Sequence, residues 1–499
     1  MASHPDLARL AGSVLCVGLP GPVLTAEEAE ELRSIAPGGI VLFARNVSTL
    51  EGTRALLAAA RAAIGGDAPA LGCVDQEGGR VVRLRFADEA MPSMMALGAT
   101  EDEVLAGRAG AQLANELRAI GANVNFAPVL DLALEPANTV IGTRSLGSDP
   151  HGVARLGAAL VRGMQSGGIA ATVKHFPGHG ATAIDSHVGL PIVETDEATL
   201  HARELVPFVA AFAAGARAVM SAHVVVRALD PERPATLSPR ILTRLLREEL
   251  GFGGVCFTDC LEMDAIAGGA GTAGGAALAL AAGADAAIIS HDLTLARRSR
   301  DAIVAAVESG LLPFERLAQA AERVARLRAS AASGVTPDQP SAELPLEIAR
   351  AALHVVRGDP RLNTERPVTV ISFEGNVSDG IAATSSQRPS LSLALRRRRM
   401  RSELLRVALD PDAAMLEMLL EVVRTQGDRQ FVLVARRAHL HPQQREAVDA
   451  LLALAPHAIA VSALEPFDVP ALARAENVVC TRGDEPANID ALAGLLTSV

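Results

Sequence analysis

The chain has no tryptophan and no tyrosine, and twelve phenylalanines are its only aromatic residues apart from histidine. Clefts that bind long polysaccharides use Trp and Tyr as flat apolar platforms. Their absence disfavours a long groove and leaves room for a small pocket lined by polar side chains. Cysteine is scarce as well: Cys16, Cys73, Cys256, Cys260 and Cys480 are scattered. The C-x3-C spacing of Cys256 and Cys260 has no second pair, and no histidine pair at zinc-finger spacing. The thiols therefore read as reduced and buried, which suits a cytoplasm. Basic charge is outnumbered, with 46 Lys and Arg against 57 Asp and Glu, a formal net charge of −11. That favours solubility and argues against a nucleic-acid surface. The one basic block, RRRRMR (Arg396 to Arg401), reads as a solvated helix or loop.

Long apolar runs are missing too. The nearest approach, GGAGTAGGAALALAAGADAAIIS (268–290), is rich in glycine and broken by Asp285. It reads as a buried helix followed by a strand rather than a membrane span. The N-terminus carries one Arg ahead of a broken apolar stretch, a poor signal peptide. The expectation is a cytoplasmic protein that binds neither nucleic acid nor membrane, with its oligomeric state open.

What is present is a large apolar fraction, 49% of 499 residues, enough to fill more than one core. Eight short apolar runs alternate with helical patterns: 13–19, 39–44, 70–75, 122–128, 169–175, 216–223, 253–259 and 285–290. One of the intervening helices opens with a Thr25/Glu28 capping box. Apolar strands separated by helices signal a parallel sheet covered by helices. Eight such units predict an α/β fold, a (β/α)8 TIM-type barrel, over residues 1–335. A Pro-, Gly- and Ser-containing stretch places a linker at 336–345. Strand and helix patterns then resume, predicting a smaller open α/β domain over 346–499.

On such a barrel, chemistry sits at the C-terminal ends of the strands. Polar residues close the apolar runs there: Asp75, Asn125 with Asp131 beyond it, Lys174 and His175, His223, and Asp259. The stretch KHFPGHGATAIDSH, from Lys174 to His187, holds three histidines. Pro177, Gly178 and Gly180 make a helix improbable there, so His175 and His179 do not share a helical ligand face. Lys174 would also oppose a cation, so no metal site is assigned. No G-x4-G-K-[ST] phosphate loop occurs, and no cofactor is expected. Retaining glycoside hydrolysis needs a carboxylate nucleophile and a proton donor that later acts as base. Asp259 at a strand end suits the first role. His187 suits the second, with Asp185 two residues away to orient its ring.

Five segments, DQEGGRVVRL (75–84), IGTRSLGSDP (141–150), KHFPGHG (174–180), DSH (185–187) and FTDCLEM (257–263), together resemble glycoside hydrolase family 3. They are most similar to its β-N-acetylglucosaminidases of bacterial cell-wall recycling. The resemblance implies Asp259 as nucleophile and His187 with Asp185 as the acid/base pair. It also implies Asp75, Arg83, Arg144, Lys174 and His175 as the residues that hold the terminal sugar or brace the nucleophile. Members of that branch commonly carry a second Asp where this chain has Cys260. His179 is left to loop structure. The implied function is an exo-acting retaining β-N-acetylglucosaminidase acting on small glycosides from cell wall or chitin. Two enzymatic readings stand beside it, a phosphorylase and a β-glucosidase on the same scaffold. A third is a non-catalytic sugar-binding protein.

Overall fold

The computed structural model describes residues 4–66, 68–86, 90–182, 190–330, 341–375 and 390–498. Eight parallel strands close into a barrel, each hydrogen-bonded to its neighbours in sequence order. They are β1 (Leu15–Gly18), β2 (Gly39–Leu42), β3 (Leu71–Val74), β4 (Val124–Asn125), β5 (Ala170–Phe176), β6 (Ala218–Ser221), β7 (Val255–Cys260) and β8 (Ala286–Ile289). Each expected strand is found, although the fourth shrinks to two residues. Beyond Asn125 the chain turns away to build a long loop, 126–149, that reaches the site.

Alternation along the strands divides the packing into two layers. Cys16, Val41, Cys73, Val124, Phe126, Met220 and Phe257 fill the barrel interior. Phe126 and Phe257 meet there edge to face, with centroids 5.3 Å apart. Residues of the opposite parity face the helices. Local signals set the helix starts: Thr25 and Glu28 form the expected capping box on Ala26–Ile35. Asp149 caps the helix Pro150–Ser166, whose first residue is proline. That helix lies close against Glu103–Ala119. A Cβ on Gly163 would fall 2.1 Å from the carbonyl oxygen of Gly107, so only glycine permits the approach.

The second sheet has six strands: β9 (His354–Arg357), β10 (Val368–Glu374), β11 (Ser402–Ala408), β12 (Gln430–Ala435), β13 (Ile459–Ser462) and β14 (Asn477–Cys480). Their order is β9-β14-β13-β12-β10-β11, parallel except for the antiparallel edge strand β9. Apolar clusters cover both faces of this sheet. Helix Leu344–Ala352 joins the two bodies: Leu344 and Ile348 pack into the barrel's cluster, and Ala349 packs on Ala487 and Ala491. The basic block ends the helix Leu391–Arg397, and Arg396, Arg397, Arg399 and Arg401 are exposed there, in keeping with a solvated helix end. Met400 is buried, Arg396 donates to the carbonyl of Ser402, and Arg398 pairs with Asp490 at 2.6 Å.

At the barrel's N-terminal end, fully buried Asp285 takes Arg247, Arg316 and Arg323. Charge at that face belongs to stability rather than chemistry. No described helix is long and apolar enough to cross a membrane.

Candidate active site

A cavity of about 360 Å³ opens at the C-terminal end of the barrel. That lies within the ~300–1,000 Å³ typical of small-molecule sites. All its lining residues come from the barrel. Asp75, Arg83, Arg144, Lys174, His175 and Asp259 are among them, brought together from three strand ends and two loops. Asp185 and His187 lie in 183–189, outside the described residues.

The floor is built from paired charges. Lys174, on β5, is almost fully buried, and its ammonium donates to Asp75 at 2.7 Å and to Glu77 at 2.6 Å. Glu77 sits on a short hairpin (Gln76–Gly78 with Val81–Val82) that follows β3. Its second partner is Arg144, which grips it with two parallel bonds of 2.8 Å. Burial alone would raise the Glu77 carboxyl, but Arg144 and Lys174 overcome it and hold the group far below the ordinary carboxylate range. In return, despite burial, Glu77 raises Arg144, and Asp75 and Glu77 raise Lys174. Both cations thus keep their charge inside the cavity. Glu77 lies within the quoted DQEGG motif, yet nothing local in the sequence distinguishes it from its neighbours as the hub.

Asp131 is a second organising residue that sequence reasoning left without a role. One of its oxygens accepts from the His175 backbone amide at 3.1 Å and meets His175 Nδ1 at 2.6 Å. The other accepts from the amide of His179 at 2.6 Å. Because the carboxylate can only accept, His175 carries its proton on Nδ1. Its Nε2 then faces the Arg144 guanidinium, 3.5 Å away. His179 also lines the cavity, whereas its sequence context implies only a structural part in the loop. Burial outweighs the attraction of Asp131 and lowers its pKa to about 4, so its ring is neutral near pH 7. Thr182 Oγ1 lies 2.9 Å from His179 Nδ1.

Asp259 closes β7 on the opposite wall. Its Oδ1 accepts from the amide of Cys260 at 2.7 Å. Burial pushes its carboxyl up, but His175, His223, that amide and Lys174 together bring it below the usual value. The group is therefore ionised at neutral pH, as a nucleophile must be. His223 braces this strand end: Nε2 contacts the Cys260 carbonyl at 3.0 Å and Nδ1 contacts Thr236 Oγ1 at 2.8 Å.

The hairpin carrying Arg83 is tied down by Gln76. Its Oε1 accepts from the amides of Arg83 and Leu84, while its Nε2 donates to Glu116 at 2.6 Å. Burial raises the Glu116 carboxyl to about 7, partly opposed by that bond.

At the outer wall, Glu262 Oε2 accepts from the amide of His291 at 3.1 Å and meets His291 Nδ1 at 3.2 Å. The amide of Ser290 donates to the same oxygen. Cys260, Glu262 and His291 are the described group whose donor atoms come within 4.8 Å of one another. Cys256 belongs to the core instead, so the C-x3-C spacing brings no thiol pair together.

A profile described as the Glycosyl hydrolase family 3 N terminal domain matches residues 14–327. The chain belongs to glycosyl hydrolase family 3. Over 284 residues it is 44% identical to a β-hexosaminidase of Stenotrophomonas maltophilia (strain K279a), covering 56% of this chain and 83% of that one. A β-hexosaminidase of Xanthomonas euvesicatoria pv. vesicatoria (strain 85-10) is 42% identical over the same length, with 56% and 84% covered. In structure it is similar to a family 3 β-N-acetylglucosaminidase from Paenibacillus sp. str. FPU-7. The TM-score is 0.91 at 35% identity, covering 100% of this chain and 97% of the other. Barrel, second domain and family agree, and the chain is a glycoside hydrolase of family 3. Its substrate is accordingly a small sugar-bearing molecule.

Proposed function

We propose that this family 3 enzyme is a retaining, exo-acting β-N-acetylglucosaminidase. It removes terminal β-linked N-acetylglucosamine from cell-wall or chitin fragments in the cytoplasm. The observation that carries the reading is the ionised carboxylate of Asp259, facing a small cavity furnished with fixed charges from Asp75, Arg144 and Lys174. A cavity of this size suits one terminal sugar ring. Charged donors and acceptors would orient its hydroxyls without aromatic stacking.

In the first step an Asp259 oxygen bonds to the anomeric carbon as the bond to the leaving oxygen breaks. His187 gives that oxygen its proton. The oxocarbenium-like transition state is positive, and the carboxylate beside it is favourable. In the second step water attacks the same carbon, His187 takes a proton from it, and the bond to Asp259 breaks. The configuration is retained. Asp185 orients His187 and stabilises its protonated ring.

Glu262, the competing proton donor on the cavity wall, is poorly suited to that task. Despite burial, His291 and the Ser290 amide hold it below the ordinary range, so it stays ionised. That supports a donor of another kind, and the D-S-H triplet supplies one. Nitrophenol release from the β-N-acetylglucosaminide and the β-glucoside, each with and without phosphate, tests the reading. Turnover of the first substrate, with free sugar as product, is the expected result. Preference for the glucoside, or sugar 1-phosphate as the main product, overturns it.

A further inference from the structure

We infer that the C-terminal domain takes part in sugar binding without entering the cavity, by holding the loop that aims Arg144. Loop 126–149 carries both Asp131 and Arg144, and it is gripped from two sides. On the barrel side, the Arg80 guanidinium donates to the carbonyls of Thr139 and Val140, each at 2.6 Å. On the other side stand three residues of the second domain, Arg437, His439 and Glu465.

Glu465 lies directly on the turn Gly142–Arg144. A Cβ added to Gly142 would come within 2.3 Å of Glu465 Oε1, and Gly142 has φ +42°, a conformation that favours glycine. A side chain at position 142 would have to push that carboxylate aside and adopt a strained backbone conformation. Arg437 fixes the carboxylate from behind at 3.3 Å, and both partners are almost fully buried. His439 holds the same loop further back. Its Nε2 donates to the carbonyl of Pro136 at 3.1 Å, while Asp468 takes its Nδ1 at 2.7 Å. Both ring nitrogens therefore face acceptors, which suits a protonated ring.

The held turn ends in Arg144, whose guanidinium grips Glu77 and abuts His175. Displacing the turn would move that guanidinium while leaving Asp259, on β7, in place. Glu465, Arg437 and His439 are thus positioning residues acting through Arg144. A buried interface serving only to hold two domains together would have no reason to seat a carboxylate two residues from a cavity cation.

The inference rests on Arg144 as a sugar-holding residue of the proposed glycosidase. It is tested in the full-length chain with Glu465→Gln, Glu465→Asp and His439→Gln, alone and combined with Arg144→Lys. Rates are measured on whichever aryl β-glycoside the unaltered enzyme turns over. The choice of sugar therefore fails or stands separately from the role of the second domain. Glu465→Gln should raise KM by roughly 10- to 100-fold, the cost of about 1 Å of misplacement, with kcat changed by no more than about twofold. Glu465→Asp should recover part of the loss. In the Arg144→Lys background Glu465→Gln should add little, because both act on one contact. Should the buried substitution impair folding, His439→Gln at the interface rim must show the same pattern with smaller size. Unchanged KM in folded variants, or effects that multiply with Arg144→Lys, would overturn the inference.

Discussion

Glu77→Gln keeps the shape of the side chain and removes its charge. In the native enzyme that carboxylate neutralises two buried cations, through two bonds of 2.8 Å to Arg144 and one of 2.6 Å to Lys174. After the change Lys174 retains Asp75 at 2.7 Å, and Arg144 retains the Val140 carbonyl at 3.1 Å. Removing one partner of a buried pair costs ~3–5 kcal/mol. The retained acceptor on Gln places this case near ~3 kcal/mol on that scale. On the scale of ~2–4 °C per kcal/mol for domains shorter than this barrel, the melting temperature should fall by about 6 °C. The pH dependence has a definite sign. A carboxyl lowered in the folded state stabilises above its unfolded pKa, about 4.3, and loses that contribution as pH falls towards the folded value. The gap between the two proteins should therefore be full at pH 6–8 and narrow below about 4.3. Arg144 and Lys174 both line the cavity, and the sugar-holding role proposed for them should make kcat/KM drop by about 100-fold or more. Calorimetric scans from pH 3 to 8, paired with steady-state kinetics, measure both quantities. Glu30→Gln, at an exposed pair with Arg33, serves as the control and should leave the melting temperature unchanged. A Glu77→Gln enzyme with native melting temperature and native kcat/KM would refute the account of the cavity floor.

Asp259→Ala should leave a folded protein and reduce kcat by several powers of ten, about 10³-fold or more. A 2-fluoro glycoside should label Asp259 in the parent, and peptide mapping that finds the label elsewhere removes it from the role. Glu116→Gln tests the buried carboxyl under the Arg83 hairpin. A carboxyl raised to about 7 when folded stabilises most below its unfolded value and loses that contribution as pH rises to about 7. The variant's melting temperature should therefore gain on the parent's between pH 4.5 and 7, and parallel curves would dismiss the effect. His187→Ala should slow substrates with poor leaving groups far more than activated aryl glycosides, which depart with little protonation. Equal slowing of both counts against His187 as the acid.

The periodic parts of this molecule were legible in sequence for a simple reason. A parallel strand buried on both faces must be apolar throughout, and a βα turn must be closed by polar residues. Eight apolar runs and the polar residues ending them therefore announced both the barrel and its working face. Lys174, His175 and Asp259 stand at or beside strand ends, where local chemistry and position coincide. Glu77 and Asp131 were not legible as hubs. Each is one acidic residue among many in a loop, and each becomes central only because its partners arrive from elsewhere. Arg144 lies 67 positions from Glu77, and His175 lies 44 from Asp131.

By itself the sequence determined the two α/β bodies and the family, and it nominated a short set of residues for the attack on a glycosidic bond. Those follow from local periodicity and from side-chain chemistry carried in contiguous motifs. Tertiary structure alone decided which charges neutralise one another, which histidine stays neutral, and where the second domain bears on the first. Charge pairing depends on distance and burial, and both arise only when loops far apart in the chain close over the same strand ends.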